Sequence, residues 1–240
     1  MPQRTAIVTG ASSGIGLAIA RMLAADGFAV TLVARGQPRL DAAAEELRAA
    51  GHEVAAAVGD VCNEADIQGV LDTHRERHGS LDVLVNNAGM GVFGSIRHAA
   101  NGQMDLQYRI NLRSVVLFYR EGLDLLRRAA ELNGHALVVN TASITGKRGE
   151  ANLGVYSAVK HGVVGLTQAM NQELHPYRIK SCVLCPGYVD TPLSDYKKGD
   201  VPAEQMIRPG DLAAAVRFLT QLSTYCVVPE VLFQRFGDPV

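Results

Sequence analysis

Short apolar runs alternate with amphipathic stretches along almost the whole of the 240-residue chain. The apolar runs favour strands, and the intervening stretches have the three-to-four-residue apolar period of helices. Several strand-like runs are apolar on both faces, as buried parallel strands must be. The pattern predicts one α/β domain over residues 1–240: a doubly wound, Rossmann-type parallel sheet of about seven strands with helices on both faces. We predict strands at 5–9, 29–33, 52–58, 81–86, 135–143, 179–185 and 231–234, and helices at 14–27, 38–51, 63–79, 103–131, 155–174 and 211–222.

The least regular segment is 188–210, which reads YVDTPLSDYKKGDVPAEQMIRPG. It is rich in proline, glycine and charge, which is typical of an irregular loop with a functional role. We predict that this segment is a mobile substrate loop that closes over a site.

Composition narrows the classes of function. Hydrophobic residues make up 48% of the chain, charged residues 20%, and the formal net charge is −1, so nothing favours binding to nucleic acid or to an anionic membrane. No apolar run approaches the ~18 residues of a membrane span, and the first one is too short for a signal peptide. Cys182 and Cys185 are predicted to be buried strand thiols, and His74 and His78 lack a third ligand. We expect a cytoplasmic protein without a metal.

A glycine loop, TGASSGIG at 9–16, joins the first strand to the first helix. Gly10, Gly14 and Gly16 permit a tight turn and a close approach of the backbone. The free N–H groups at the start of the helix suit a pyrophosphate, as in dinucleotide sites. No GK[ST] sequence follows, so a triphosphate-binding loop is disfavoured. Taken alone, these residues also fit a plain turn between a strand and a helix.

Tyr156 and Lys160 lie four residues apart in YSAVK (156–160), so they share one face of the predicted helix. For acid–base work near neutral pH the pKa of a phenol must fall by about 3 units from about 10, which requires about 4 kcal/mol. One cation about 4 Å away provides roughly that energy at an effective dielectric near 20. The alternative is an ordinary surface pair, but Ser143 at the end of the preceding strand favours a tuned proton donor.

These features and several other segments together resemble the short-chain dehydrogenase/reductase family, in its single-domain branch of about 250 residues. Each segment is common by itself, but the set is specific in this order and at these separations, and it covers nearly the whole chain. The resemblance implies hydride transfer between a nicotinamide and a carbonyl or secondary alcohol. It rests on TGASSGIG (9–16), GDV (59–61), NNAG (86–89), Asn111 in RIN, Ser143 in NTAS, YSAVK (156–160) and PGYVDTP (186–192).

The resemblance also implies a role for each residue of the site. Tyr156 is the general acid and base, Ser143 orients the substrate oxygen, Lys160 holds the nicotinamide ribose, and Asn111 anchors a proton-relay water. The cofactor contacts that it implies are Gly10, Ser12, Ser13, Gly14, Ile15, Gly16, Asp60, Val61, Asn86, Asn87, Ala88, Gly89, Tyr156, Lys160, Pro186, Gly187, Val189 and Thr191.

The end of the second strand bears on the choice of dinucleotide. NAD users of this fold usually carry an acidic residue there, whereas this chain has Ala34 followed by Arg35. An arginine can pair with a 2′-phosphate through charge-assisted bonds. We therefore predict NADP(H) rather than NAD(H) as the cofactor, with a solvated Arg35 as the alternative.

Two other functions stay open. One is reduction of a 3-oxoacyl thioester, for which Lys147–Arg148 and Lys197–Lys198 could attract an acidic carrier, although solvated loop charges explain them as well. The other is a dinucleotide-binding regulator without catalysis, against which the complete set of Asn111, Ser143, Tyr156 and Lys160 argues. The expected partner is a small carbonyl or alcohol. The resemblance implies a homodimer or homotetramer, although the C-terminus lacks the glycine-rich ending of many members.

Overall fold

Seven parallel strands form one sheet in the computed structural model, which describes residues 3–238 apart from the side chains of residues 196 and 197. The order across the sheet is β3-β2-β1-β4-β5-β6-β7, which confirms the predicted doubly wound architecture. The strands are β1 (Thr5–Thr9), β2 (Ala29–Ala34), β3 (Val54–Val58), β4 (Val83–Asn86), β5 (Ala136–Thr141), β6 (Ile179–Pro186) and β7 (Glu230–Phe233).

Helices cover both faces of this sheet. In the described residues they are α1 (Gly14–Ala25), α2 (Gln37–Ala49), α3 (Glu64–His78), α4 (Asn101–Tyr108), α5 (Ser114–Asn133), α6 (Gly154–Glu173) and α7 (Pro209–Thr220). One hydrophobic core contains Ile19, Leu40 and Leu212, so α1, α2 and α7 pack on the same face. A second core contains Ile67 and Leu126 and places α3 and α5 on the opposite face.

The order of the strands reverses beside β1. The chain runs from β1 outward to β2 and β3, and then returns to place β4 on the other side of β1, with Val8 paired to Val85. In an open parallel sheet, such a reversal leaves a crevice beyond the carboxyl ends of the two central strands. The fold therefore assigns the ligand crevice to the ends of β1 and β4.

The helix predicted at 103–131 differs from the structure in one informative way. The helical stretch runs from α4 to α5 but is interrupted by a π-turn at Arg109–Arg113. The Asn111 side-chain nitrogen Nδ2 reaches back from this turn and donates to the Gln107 carbonyl of α4 at 2.9 Å. Such π-turns occur frequently at functional sites, and apolar periodicity does not reveal them.

The ends of some other elements also shift. The strand predicted at 135–143 ends at Thr141, because Ser143 begins a short 3₁₀ turn in which its Oγ accepts from the Thr145 amide at 3.2 Å. The last helix begins at Pro209 rather than at 211, as proline favours the first helical position.

Both cysteines of the CVLC sequence are buried in β6, as predicted. Their odd spacing places them on opposite faces of the strand: Cys182 joins the core of α1, α2 and α7, whereas Cys185 packs beside Val163 of α6. Burial raises the pKa of each thiol to about 12. These thiols therefore act as small apolar side chains.

His74 of α3 is completely buried against the sheet. Its Nε2 lies 3.0 Å from the Ser80 carbonyl, which can only accept, so Nε2 carries the proton and Nδ1 accepts from the Thr31 hydroxyl at 2.8 Å. Burial, with a smaller contribution from the neighbouring His78, lowers the pKa of His74 from 6.5 to about 4. The folded protein therefore binds this proton less readily than the unfolded chain does.

This difference predicts an acid-sensitive stability. The contribution of His74 to the free energy of unfolding is complete above pH 6.5 and is lost as the pH falls toward 4. It amounts to roughly 3 kcal/mol in total. Between pH 7 and pH 5, the wild type is expected to lose roughly 2 kcal/mol more unfolding free energy than a His74→Gln variant. Urea unfolding at the two pH values measures this, and equal losses in the two proteins would contradict it.

Candidate active site

A crevice of about 1050 Å³ opens at the carboxyl ends of the strands. The loops that follow β1 to β6 and one face of α6 form its walls. The topology predicts a crevice at this place, and the residues along its walls determine what it can hold.

The glycine loop forms the wall next to β1. A Cβ atom on Gly16 would lie 2.4 Å from the Gly10 carbonyl oxygen and 2.6 Å from the Asn87 side-chain nitrogen Nδ2, so only glycine fits there. Gly10 and Gly14 have φ values of +67° and +54°, which favour glycine. The Ser13 side chain does not cap α1, so the first amides of this helix are available to an anion.

Asn87 and Ala88 fasten this loop to the end of β4. Both backbone amides donate to the Thr9 hydroxyl at 2.9 Å. The Asn87 side chain donates to the Thr9 carbonyl at 3.1 Å and accepts from the Thr141 hydroxyl at 3.3 Å. One side chain therefore joins β1, β4 and β5 at the floor of the crevice.

Tyr156 and Lys160 lie on the buried face of α6 and line the crevice together with Ser143. The Lys160 Nζ donates to the Thr141 carbonyl at 2.8 Å and lies 5.6 Å from the centre of the Tyr156 ring. The Ser143 hydroxyl is 3.5 Å from the Pro186 carbonyl, which closes the same wall. The structure thus brings the predicted serine, tyrosine and lysine to one place.

Lys160 is a buried cation with few compensating contacts. It is 4% exposed, and burial lowers the pKa of its ammonium from 10.5 to about 8. At neutral pH the group is still mostly protonated. The site therefore keeps a positive charge beside the Tyr156 phenol, and burial of this charge lowers the stability of the folded protein.

Asn111 stands behind this group rather than in the crevice. Its Oδ1 accepts from the Met90 amide at 3.1 Å, and its Nδ2 donates to the Met90 carbonyl at 2.8 Å. A Cβ on Gly89 would lie 2.9 Å from the Asn111 Oδ1 and 3.6 Å from the Lys160 Nζ. The π-turn therefore places Asn111 against the segment that faces Lys160.

Most residues predicted to contact a cofactor do line the crevice. They are Gly10, Ser12, Ser13, Gly14, Ile15, Arg35, Asp60, Val61, Asn87, Ala88, Gly89, Tyr156, Lys160, Pro186, Gly187, Val189 and Thr191. In the part of the chain that the structure describes, Gly16 and Asn86 do not. Gly16 packs on Gly10 instead, and the buried Asn86 side chain donates to the Asn140 Oδ1 at 2.9 Å inside the sheet. Asn86 therefore supports the sheet rather than the wall of the crevice.

Sequence reasoning missed Arg39. This residue lies in the first turn of α2 and lines the crevice together with Arg35. Both side chains are exposed, and neither makes a salt bridge within residues 3–238. The sequence did contain a signal for Arg39. It lies four residues after Arg35, in the first turn of α2, and Arg35 lies in the loop just before that helix.

The other end of the crevice carries several large apolar and aromatic side chains among its polar ones. Phe93, Ile144, Tyr188 and Leu193 line this end, whereas Met90 and Val92 do not line the crevice in the described structure. The Tyr188 hydroxyl donates to the Glu150 carboxylate at 3.2 Å across the mouth. This end can therefore accept an apolar group with a polar edge.

The segment 188–210 is folded into short turns. Val189 pairs with Ile207 in an isolated bridge, and 3₁₀ turns span Pro192–Lys197 and Ala203–Gln205. Thr191 and Ser194 are buried, and both line the crevice. The segment therefore forms one wall of the crevice, with local structure that its composition did not predict.

The buried charge of Lys160 leads to a stability prediction. A pKa of about 8 instead of 10.5 means that the charged Lys160 lowers the free energy of unfolding by roughly 3 kcal/mol. The full loss applies below pH 8, and it disappears as the pH rises to 10.5. Lys160→Met removes that charge, so at pH 7 the ligand-free variant is expected to be at least as stable as the wild type while losing turnover. Denaturant unfolding tests this, and a loss of more than about 1 kcal/mol would contradict it.

Among the described residues, none of the helices combines the length and apolar character that a bilayer crossing needs. The same residues contain no group of three or more histidine, cysteine or acidic side chains arranged to hold a metal ion.

Comparisons with known proteins agree with this geometry. Residues 4–201 match the family model described as short chain dehydrogenase. A Streptomyces violaceoruber protein assigned as ketoacyl reductase 1 of the granaticin polyketide synthase is 42% identical over 190 residues, which cover 79% of this chain and 69% of that protein.

Two solved structures share the whole fold. The alcohol dehydrogenase of Thermococcus sibiricus, complexed with 5-hydroxy-NADP, superposes with a TM-score of 0.90, with 31% identity over 99% of each chain. A variant of the actinorhodin polyketide ketoreductase, with NADPH, has a TM-score of 0.86 and 32% identity over 97% of each chain. This chain therefore belongs to the short-chain dehydrogenase/reductase family of oxidoreductases.

Proposed function

We propose that this protein transfers a hydride between NADP(H) and a carbonyl or secondary alcohol. The observation that carries the proposal is the convergence of Ser143, Tyr156 and Lys160 on the crevice whose other end is the glycine loop. One dinucleotide can reach from the free amides of α1 to the tyrosine and lysine, since a single crevice connects them.

The protein's own groups supply the proton chemistry. The nicotinamide supplies or accepts the hydride when it is bound. In reduction, the Tyr156 hydroxyl donates a proton to the carbonyl oxygen as negative charge develops there, and in oxidation the phenolate accepts it. The Ser143 hydroxyl donates a hydrogen bond to the same oxygen and fixes its position.

Lys160 makes this proton transfer feasible near neutral pH. Its ammonium lies on the Tyr156 side of α6 and is held by the Thr141 carbonyl at 2.8 Å. Because its charge is buried, little water screens it, and it stabilises a phenolate more strongly than a surface lysine would. Asn111 supports the same group through Gly89 and Met90.

The residues at the end of β2 support NADP(H) over NAD(H). Ala34 offers no carboxylate to the ribose hydroxyls of the adenosine. Arg35 and Arg39 line the crevice beside the first turn of α2, where helix amides and two guanidinium groups together favour a phosphate. Both neighbouring structures described above carry an NADP form, which agrees with this assignment.

A narrower hypothesis is a 3-oxoacyl-thioester reductase, which the relative from Streptomyces violaceoruber favours. Arg148 lines the crevice and could meet an anionic part of such a substrate. Lys147 and Lys198 are already engaged in salt bridges, with Glu230 and with Asp195, each at 2.8 Å. The Lys197 side chain lies outside the described residues.

Turnover on a panel of carbonyls tests the proposal. Purified protein with NADPH is offered simple ketones, cyclic ketones, diketones and a 3-oxoacyl thioester, while NADPH absorbance is followed. We expect oxidation of NADPH with at least one ketone, and preference for the thioester would select the narrower hypothesis. Tight NADPH binding without turnover on any member would instead support a regulator without catalysis.

The wall formed by residues 188–210 is proposed to close over the substrate. Thr191 and Ser194 are buried beside the crevice, so a ligand there would contact the segment directly. Hydrogen exchange of these residues is expected to slow when NADP⁺ and an alcohol product are bound together. Exchange that is unchanged by both ligands would count against a lid.

A further inference from the structure

Two arginines at the ends of the π-turn donate to a single backbone oxygen. The Arg109 Nη2 lies 3.1 Å from the Cys62 carbonyl, and the Arg113 Nη1 lies 3.4 Å from the same atom. Cys62 belongs to the loop after β3, whereas the arginines belong to the stretch between α4 and α5. These bonds therefore join two segments that are remote in the sequence.

The Cys62 end of this link lies at the crevice wall. Asp60 and Val61, which directly precede Cys62, line the crevice on the side of the glycine loop and Arg35. The loop is short and braced, since the Cys62 amide donates to the Asp60 carboxylate at 2.9 Å and the Asp60 amide donates to Asp66 at 2.8 Å. A ligand against Val61 would therefore press on the carbonyl that the arginines hold.

The other end of the link is the catalytic side of the crevice. Asn111 lies in the π-turn between the two arginines and holds the Met90 backbone through two hydrogen bonds. Ile110, next to Arg109, lines the crevice itself. A change in the π-turn would consequently move Met90, and with it the segment at Gly89 that faces Lys160.

We propose that Arg109, assisted by Arg113, is a positioning residue that couples occupancy of the adenosine end of the crevice to the placement of Asn111. This inference rests on the proposed dinucleotide site. The guanidinium bonds are charge-assisted and end on a partly enclosed carbonyl, so they are stronger than neutral exposed contacts and resist separation of the two segments. Binding of the adenosine half against Asp60 and Val61 displaces the braced Cys62 loop as a unit and, through Arg109, shifts the π-turn on the nicotinamide side.

Coupling of this kind is reciprocal and can be measured with two halves of the cofactor. Reduced nicotinamide mononucleotide occupies the catalytic end, and adenosine 2′-phosphate occupies the adenosine end without duplicating the central phosphate. Calorimetry gives the affinity of each fragment, alone and with the other at saturation. In the wild type we expect adenosine 2′-phosphate to tighten binding of the nicotinamide fragment at least fivefold, which is about 1 kcal/mol.

Arg109→Met removes the hydrogen-bond donor to the Cys62 carbonyl. In this variant the tightening of one fragment's binding by the other, the coupling factor, is expected to fall to near one, while each fragment alone binds as in the wild type. Arg109→Lys keeps one donor and should retain part of the coupling. Arg120→Met is the matched control: Arg120 pairs with Glu64, as Arg113 does, but makes no bond to the Cys62 carbonyl in the described structure. Arg120→Met removes one positive charge from the same face of the helical stretch and should keep the full coupling factor of the wild type.

The outcomes separate this inference from the proposed function. Independent binding of the two fragments to the wild type would overturn the coupling, whether or not the variants fold. Equal loss of the factor in Arg109→Met and Arg120→Met would also overturn it, because the effect would then be one of charge alone. No binding of adenosine 2′-phosphate would reject the proposed NADP(H) site and, with it, this inference.

Discussion

Replacing Tyr156 with phenylalanine is expected to lower turnover by roughly two to four orders of magnitude, the usual contribution of a positioned acid or base. The substitution removes one hydroxyl and keeps the ring. That ring is 9% exposed, and its centre lies 6.4 Å from that of Phe93, so its packing should persist. Binding of NADPH should change little, because the proton is needed only in the chemical step.

Initial rates on the best ketone of the panel, together with NADPH titration by fluorescence, measure both effects. Tyr108→Phe serves as a control, because Tyr108 is half exposed on α4 and lies outside the crevice. It should retain wild-type rates. If Tyr156→Phe kept more than a tenth of wild-type turnover, Tyr156 would not be the acid.

The second large effect concerns the choice of dinucleotide. NADPH is expected to exceed NADH in kcat/KM by well over tenfold, since a pairing worth about 1.4 kcal/mol already gives that ratio. Arg35 and Arg39 both line the crevice just after β2, and Ala34 has no side-chain group that would repel a phosphate or bind the ribose hydroxyls. The preference should therefore arise from KM for the cofactor rather than from kcat.

Variants at this site should change the preference in steps. Arg35→Ala and Arg39→Ala should each weaken the binding of NADPH but not that of NADH. Ala34→Asp combined with Arg35→Ala should make NADH the preferred cofactor. Arg77→Ala, at the exposed end of α3 and outside the crevice, removes the same charge and should leave the ratio unchanged. Equal kcat/KM for both cofactors in the wild type would show that Arg35 and Arg39 are ordinary surface charges.

Much of the fold follows from local patterns in the sequence. Doubly apolar strands and glycine-terminated helices were sufficient to predict a seven-stranded parallel sheet, because each pattern has a direct structural cause. The π-turn at Arg109–Arg113 was not predictable, because apolar periodicity does not distinguish it from an α-helix, and its contact between Asn111 and Met90 joins residues far apart in the sequence. The local turns of residues 188–210 were missed as well, because the composition of the segment indicates a loop but not the bridge from Val189 to Ile207 at its two ends.

The place of the site was predictable from several motifs taken together. Alone, Tyr156 and Lys160 also fit a surface pair and the glycines also fit a plain turn, but in combination with Ser143 they predict one crevice, and all of these motifs do border one crevice. Asn86 was different: it is the last residue of β4, and its side chain points into the sheet toward Asn140, whereas the next residue, Asn87, lines the crevice. Alternation of side chains along a strand already implied that both asparagines could not face one crevice.

Transfer of deuterium tests the central claim most directly. The protein is incubated with NADPH that carries deuterium at both C4 positions of the nicotinamide and with the best ketone of the panel, and the product is examined by mass spectrometry. The account predicts an alcohol with one deuterium on the former carbonyl carbon and none from solvent, and almost no such product with Tyr156→Phe. An unlabelled alcohol, or no alcohol from any carbonyl offered, would contradict the claim that this crevice transfers hydride.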